Sequence, residues 1–403
     1  MRRGEFNTSV AGEAYEVGLG TVAEVKLTAA RYFALAERDP NNHLSEYVGP
    51  QMLGGISRYF LDKYLAKIAS GEINTGHGYN EDPISIQVTK ELKKLTGSKA
   101  VAIVPTGTAA NLDLIASFCD SNDEEMKFIA CETEHSVNLE EKMLQKAGIK
   151  KENMKLMAFH NGIVSVEDLS QATEEIDGKF IFQMAIPSSE GMVPSMKEFR
   201  LLIDVVHKKG GYFLVDGARL TNALVHWKVG LGVLTKLGVD GFTLGTSKKG
   251  GLAEVVCIND KQAATKLSEE AKSYGHTSSK ESPLAFITGI FLTTDLWRKE
   301  AESENKSATL FADILKGNGI SPEFEVDSNT VFITLSKKEQ ERLTGDNSEE
   351  EQEQLTDENF KLGMLYHDYG PGANISRIMF IGFQSEESVR KAAEVVVKVK
   401  KIN

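Results

Sequence analysis

The sequence predicts an α/β fold whose sheet is mostly parallel and covered by helices on both faces. Between residue 86 and about residue 260, short apolar segments alternate with segments of helical period. Val101–Val104 and Tyr212–Val215 are two of the apolar segments, and each is followed by a stretch with helical spacing. Strands separated by helices are typical of parallel sheets that are buried on both faces.

The element boundaries follow from apolar period and from start and stop signals. Ser195 and Glu198 form a capping-box pattern that predicts a helix start, and Gly210-Gly211 predicts its end. The other predicted helices are Val22–Leu35, Ile56–Ala69, Gln87–Leu95, Thr108–Phe118, Val137–Ala147 and Ala218–Trp227. The predicted strands are Val101–Val104, Lys127–Ala130, Lys179–Ile186, Tyr212–Val215, Gly241–Leu244 and Ala253–Ile258.

After about residue 285 the pattern predicts a smaller α+β unit. Its expected elements are the helix Phe286–Glu304, the strands Ser328–Leu335 and Ile375–Ile381, and the helix Ser385–Lys398. We therefore expect an N-terminal arm and helix over residues 1–44, a large domain over 45–285 and a small C-terminal domain over 286–403.

Composition excludes several classes of function. The 403 residues carry a net charge of -12, which disfavours nucleic acid and anionic membranes as partners. The three cysteines form no CxxC pair, so we expect no metal site and a reduced, cytoplasmic location. No signal peptide and no transmembrane run of about 18 apolar residues are indicated.

Three features that follow strands carry the candidate chemistry. Thr106-Gly107-Thr108 lies between a strand and a helix, where small residues let backbone N–H groups approach an anion. The same residues also suit a simple helix cap, and no dinucleotide glycine fingerprint is present. Asp216 ends a buried strand and would point into the crevice where α/β folds bind ligands, with Arg219 close behind it.

The third feature is Lys248, in a turn of small residues after an apolar strand. Desolvation there would lower the pKa of the amine and make it nucleophilic, although a surface lysine is the ordinary alternative. Lys249 is an adjacent competitor, and Lys248 is preferred because it directly follows Ser247. We call Thr106-Gly107-Thr108 the cradle. Together with Asp216 and Lys248, the cradle matches the needs of pyridoxal 5'-phosphate (PLP), which are a phosphate site, a partner for the pyridine nitrogen and an amine.

These residues resemble threonine aldolase, in the β-eliminating-lyase branch of fold-type-I PLP enzymes, whose fold is aminotransferase-like. The resemblance covers roughly residues 45–395. It rests on Gly78–Pro83, Thr106–Asn111, Glu134-His135, Asp216–Arg219 and Thr246–Gly250.

The resemblance implies a role for each matching residue. Thr106, Gly107 and Thr108 would bind the phosphate, and Lys280 would reach the phosphate of a neighbouring subunit. Asp216 would pair with the pyridine nitrogen, and Lys248 would carry the cofactor. His135 would stack on the ring and is the best candidate base. Ser45, Arg219 and Arg377 would bind the substrate.

The implied reaction is cleavage of threonine or allo-threonine to glycine and an aldehyde, in a homodimer or homotetramer with interfacial sites. Glu46 replaces the family's usual Asp, and Ser188–Gly191 replaces a histidine-bearing segment of some members. Both departures bear on which substrate the chain prefers more than on which cofactor it binds. The residues leave open β-elimination, transamination or a non-catalytic homologue, because a fold does not fix a function.

Overall fold

The structure, a computed structural model of the chain, describes residue 70 and residues 79–119, 126–158, 162–249, 251–278, 281–339, 375–380, 382 and 384–401. Helices Val22–Leu35 and Ile56–Ala69, the predicted arm, Ser45 and Lys280 lie outside the described residues.

A seven-stranded sheet forms the centre of the molecule, in the order β1-β7-β6-β5-β4-β2-β3. The strands β1–β7 are Ala100–Val104, Lys127–Cys131, Met154–Met157, Phe180–Ala185, Tyr212–Asp216, Gly241–Leu244 and Glu254–Ile258. β7 pairs antiparallel with β1 and β6, and the remaining pairs are parallel. The predicted α/β class with a mostly parallel sheet is therefore confirmed.

Helices cover both faces of this sheet. In chain order, helices α1–α12 of the described residues are Pro83–Thr96, Gly107–Phe118, His135–Asn138, Glu141–Lys146, Val166–Glu174, Met196–Lys208, Leu220–His226, Val233–Leu237, Lys261–Ser273, Glu281–Thr293, Leu296–Gly317 and Glu386–Lys401. α2, α4 and α9 pack on one face, around Leu114 and Phe128. α1, α5, α6, α7, α8 and α10 pack on the other, around Phe182 and Phe213.

A second, smaller sheet lies towards the C-terminus. β8 (Thr330–Thr334) and β9 (Ile375–Met379) pair antiparallel, with Phe332 opposite Arg377. The C-terminal half of α11 and the buried face of α12 pack with these strands around Phe311. The N-terminal end of α11 instead joins the core of the large sheet through Trp297. α11 therefore links the two sheets.

Two predicted helices are each divided in the structure. The predicted helix Phe286–Glu304 is α10 followed by α11, and at the break the hydroxyls of Thr293 and Thr294 donate to the carbonyls of Gly289 and Ile290. The predicted helix Val137–Ala147 is α3 followed by α4, with Leu139 exposed between them. Periodicity continues across both breaks, so the pattern alone does not reveal them. Within the part of the chain that the structure describes, no helix combines the length and apolarity needed to cross a membrane.

Candidate functional site

The carboxyl ends of six strands lie along one edge of the large sheet. β2, β3, β4, β5 and β6 run parallel, and β1 shares their direction because β7 is antiparallel to both β1 and β6. Thr106, His135 and Lys248 lie in the segments after β1, β2 and β6, and Asp216 is the last residue of β5. Parallel strand ends of this kind form the usual ligand crevice of α/β folds.

The segment after β1 forms an exposed helix N-terminus. Thr106 caps α2, and its hydroxyl accepts a hydrogen bond of 3.1 Å from the Ala109 N–H. Gly107 and Thr108 are exposed, and a Cβ built on Gly107 would meet no atom within 4 Å. The first-turn N–H groups of a helix lack intrahelical partners and attract anions. The cradle thus has the open space and the donors that a phosphate needs.

Asp216 is held in a fixed orientation at the end of β5. Its side chain is 7% exposed, and its Oδ2 accepts a hydrogen bond of 2.9 Å from Asn111 Nδ2. Its Oδ1 accepts one of 3.0 Å from the Ala218 N–H. Asn111 lies on α2, so the helix that forms the cradle also orients the acid. A carboxylate with two acceptor oxygens keeps capacity for a further donor, such as a protonated ring nitrogen.

Two glycines bring the segment after β5 close to the segment after β6. A Cβ on Gly217 would lie 1.8 Å from the carbonyl oxygen of Thr243, and one on Gly245 would lie 2.3 Å from that of Ala218. The Gly245 N–H donates to the Gly217 carbonyl at 2.9 Å. Only residues without a side chain permit this approach. The turn that bears Lys248 is consequently fixed beside Asp216.

The two adjacent lysines of this turn occupy different environments. Lys248 is exposed, whereas the Lys249 side chain is 2% exposed and pairs with Glu304. Desolvation by the surrounding protein, together with the positive charge of Arg219, lowers the pKa of the Lys248 amine. Lys248 is the lysine of the pair that is accessible to a ligand.

Both predicted substrate arginines lie within electrostatic range of Lys248. Arg219 and Arg377 each lower the pKa of the Lys248 amine, while Asp216 raises it. Arg219 Nη2 is 2.9 Å from the sulfur of Met379, which shares a strand face with Arg377. The structure therefore brings together one amine, one buried acid and two half-buried guanidinium groups.

His135 begins α3 beside the cradle, and its side chain is 51% exposed. Its Nδ1 lies 3.6 Å from Glu140 Oε2, and the Thr108 hydroxyl donates to the other oxygen of that carboxylate. Burial alone would raise the pKa of Glu140, but the contacts with His135 and Thr108 hold it below its usual value. A proton on Nδ1 facing the carboxylate leaves Nε2 as a proton acceptor. Sequence reasoning did not identify Glu140, although its position five residues after His135 was the available signal.

A buried acid adjoins His135 on the other side. Glu134 is 5% exposed, and its Oε1 accepts a hydrogen bond of 3.0 Å from the Ala185 N–H. Burial raises the pKa of Glu134 to about 8, despite that hydrogen bond, and the charges of Asp216 and Glu190 act in the same direction. Ser189, in the segment that replaces a histidine of some relatives, donates to the Thr133 carbonyl at 3.1 Å. Burial therefore favours the protonated form of Glu134.

The residues that precede Lys280 in the chain lie beside α2. His276 Nδ1 lies 2.7 Å from Asp113 Oδ1 on the buried side of α2. The Tyr79 N–H donates to the Ser278 carbonyl at 2.7 Å. Tyr79, in the second position of the Gly78–Pro83 motif, is thus a neighbour of the segment before Lys280, beside the helix that forms the cradle. Among the described residues, no cluster of acids, histidines and cysteines could hold a metal ion.

Comparison with known proteins gives one matching family and several relatives. A family model described as beta-eliminating lyase matches residues 66–338. A low specificity L-threonine aldolase of Pseudomonas aeruginosa is 26% identical over 300 residues, which cover 68% of this chain and 82% of the relative.

Solved structures of similar fold agree with this match. Threonine aldolase of Leishmania major superposes with a TM-score of 0.69 at 19% identity, covering 84% of this chain and 96% of that protein. A serine palmitoyltransferase from S. paucimobilis, solved with a bound PLP-myriocin aldimine, gives 0.61 at 17% identity, covering 81% of this chain and 79% of that protein. These likenesses establish the predicted aminotransferase-like fold type I.

Proposed function

We propose that this chain, which belongs to the beta-eliminating lyase family, cleaves a β-hydroxy-α-amino acid such as threonine or allo-threonine into glycine and an aldehyde. The chain is a PLP-dependent lyase of the threonine aldolase type. The proposal adds the substrate, the bond that breaks and the residues responsible.

The residues at the crevice fit PLP. The exposed N–H groups of Gly107 and Thr108 suit its phosphate, with Thr106 capping the helix. Asp216 suits the protonated pyridine nitrogen, since Asn111 and the Ala218 N–H hold the carboxylate in one orientation. Lys248 holds the cofactor covalently. Bound PLP supplies an electron sink for the electron pair that is left on Cα when the Cα–Cβ bond breaks.

Arg219 and Arg377 bind the substrate carboxylate. Both guanidinium groups are half-buried and close enough to Lys248 to influence the pKa of its amine. A guanidinium forms paired hydrogen bonds to a carboxylate, so two of them fix its position and plane. Fixing the carboxylate restricts rotation about the bond between Cα and nitrogen. The two arginines thereby select which bond to Cα is broken.

His135 accepts the proton of the β-hydroxyl group. Its exposed ring stands at the cradle, and its Nδ1 lies 3.6 Å from Glu140 Oε2. Nε2 takes the hydroxyl proton as the Cα–Cβ bond breaks, and the hydroxyl oxygen becomes the carbonyl oxygen of the departing aldehyde. A proton then adds to Cα, which completes glycine. An ordered water held by His135 could transfer the same proton.

The observation that carries the proposal is the placement of Lys248 on a turn fixed beside Asp216 by the close approach of Gly217 and Gly245, with Arg219 at the start of α7. The test is incubation of purified protein and PLP with L-threonine and L-allo-threonine, with detection of acetaldehyde and glycine. Acetaldehyde formation supports the proposal. Formation of a keto acid and ammonia instead, without an aldehyde, would assign β-elimination to the site and refute the aldol cleavage.

The homodimer or homotetramer expected from the family resemblance is part of the proposal, since Lys280 is expected to act across an interface. Light scattering coupled to size-exclusion chromatography measures the molar mass. A monomer of 44.2 kDa that is fully active would contradict interfacial sites.

A further inference from the structure

The turn that bears Lys248 contains a second charged group that the proposed reaction does not use. Lys249 follows directly, and its ammonium group forms an ion pair with Glu304 on α11. The side chains are 2% and 1% exposed, so both charges are removed from solvent. A buried ion pair is a poor way to stabilise a fold, since apolar residues of similar volume often serve equally well. Because the ion pair lies beside the site, we infer that it positions residues of the site.

Glu304 connects three segments that carry site residues. Its Oε2 accepts a hydrogen bond of 2.8 Å from Asn222 Nδ2, in the helix that follows Arg219. Its Oε1 accepts one of 2.9 Å from the Gly382 N–H. Gly382 lies three residues after the end of β9, the strand that carries Arg377. One carboxylate is thus bonded to the turn of Lys248, to α7 and to the chain beyond β9.

The other end of the Lys248 turn is fixed by a different acid. Glu254 on β7 accepts hydrogen bonds from the Thr246 N–H, at 2.7 Å, and from the Ser247 hydroxyl. Glu254 belongs to the large sheet, whereas Glu304 also holds the chain after β9. Of the two acids, Glu304 is therefore the one that relates the Lys248 turn to the small sheet.

We propose that Lys249 is a positioning residue that sets the distance between Lys248 and Arg377. It does so through its ion pair with Glu304, because the same carboxylate accepts the hydrogen bond from the Gly382 N–H. This inference rests on the proposed function, in which Arg377 binds the substrate carboxylate. Loss of Lys249 should weaken carboxylate binding and leave cofactor binding intact. A purely structural pair would instead affect folding alone.

The experiment compares K249M, E304L and the double variant K249M/E304L as holoenzymes. K249M and E304L should each raise KM for the amino acid by about tenfold or more, because small displacements of a binding group have large effects. Values of kcat and the dissociation constant of PLP should change less than about twofold. Without PLP, hydrogen exchange over residues 375–384 should become faster in all three variants.

The double variant separates position from stability, because it replaces the buried charges by two apolar side chains. We expect it to be more thermally stable than either single variant, because no unpaired charge stays buried, while its KM stays raised. Recovery of KM together with stability would overturn the proposal, as would an unchanged KM in folded K249M. Loss of the cofactor absorption band in K249M would also overturn it.

A matched control lies on the same helix. Lys306 pairs with Glu386 at 2.7 Å, and their side chains are 71% and 58% exposed. K306M should leave KM and the exchange of residues 375–384 unchanged, and an equal effect there would refute a specific role for Lys249. If the wild type cleaves no β-hydroxy amino acid, the proposed function fails. The exchange measurement without PLP then still decides whether Lys249 and Glu304 hold the Gly382 segment.

Discussion

Asn111 offers a sharp test of the claim that α2 orients Asp216. Asn111 is 4% exposed, and its Nδ2 donates to Asp216 Oδ2 at 2.9 Å. The substitution N111L removes this donor and keeps a side chain of similar size. The carboxylate of Asp216, itself 7% exposed, then loses one of the two hydrogen bonds described for it.

The magnitude follows from the type of hydrogen bond. A hydrogen bond to a charged group contributes about 1.5–3 kcal/mol. Asn111 Oδ1 has no hydrogen-bond partner among the described residues, so leucine also removes a buried oxygen that they leave unsatisfied. We therefore expect the free energy of unfolding to fall by about 1.5 kcal/mol, the lower end of that range. If the misplaced Asp216 carboxylate stabilises the transition state less by the same free energy, kcat/KM falls roughly tenfold.

The assay combines urea unfolding of the cofactor-free protein with steady-state kinetics. Ser117 provides the control, since it lies on the same helix and its hydroxyl donates to the Asp113 carbonyl at 2.6 Å. S117A should cost about 1 kcal/mol, the value of a neutral hydrogen bond, without any change in kcat/KM. If N111L unfolds more easily but retains the full kcat/KM, the claim that Asn111 orients Asp216 for catalysis is refuted.

Three further predictions concern pH and packing at the site. Because the pKa of Glu134 is about 8 instead of 4.5, the folded protein retains a proton that the unfolded chain loses, and stability falls as pH rises from about 4.5 to 8. E134Q should remove this dependence in urea unfolding at several pH values, and parallel curves for E134Q and the wild type would contradict it. The pKa of Glu140 is lowered, so its stabilisation is present above the usual value of 4.5 and is lost as pH falls through the lower, folded value. E140Q should therefore be less stable than the wild type by about 1.5–3 kcal/mol at pH 7 and equally stable in acid; a constant difference would count against the contacts with His135 and Thr108. G245A should weaken PLP binding in an absorption titration, because its Cβ would lie 2.3 Å from the Ala218 carbonyl, whereas G230A, where no atom lies within 4 Å, should not.

Local signals in the sequence predicted much of the large sheet. The strands β1, β5 and β6 were expected within one residue of their observed bounds, because each is a short apolar run between turn residues. The capping box of α6 is present, with Ser195 and Glu198 bonded reciprocally. The helices α5 and α9 were not predicted; their sequences are largely polar, and each helix buries only three residues.

The partners of the site residues could not be predicted, because they come from distant parts of the chain. Asn111 is 105 residues from Asp216, and Lys249 is 55 residues from Glu304. No local pattern links residues at such separations. The choice between Lys248 and Lys249 rested on one preceding hydroxyl residue, whereas the structure distinguishes them by burial and by the ion pair of Lys249.

The central claim is that Lys248 carries the cofactor. Reduction of the PLP-loaded protein with borohydride, followed by proteolysis and mass spectrometry of the peptides, locates the modified lysine directly. The account predicts a phosphopyridoxyl group on Lys248 in the wild type, and no stable attachment in K248A. Modification of Lys249 in the wild type would contradict it. Equal modification of K248A, at any other lysine, would also contradict it.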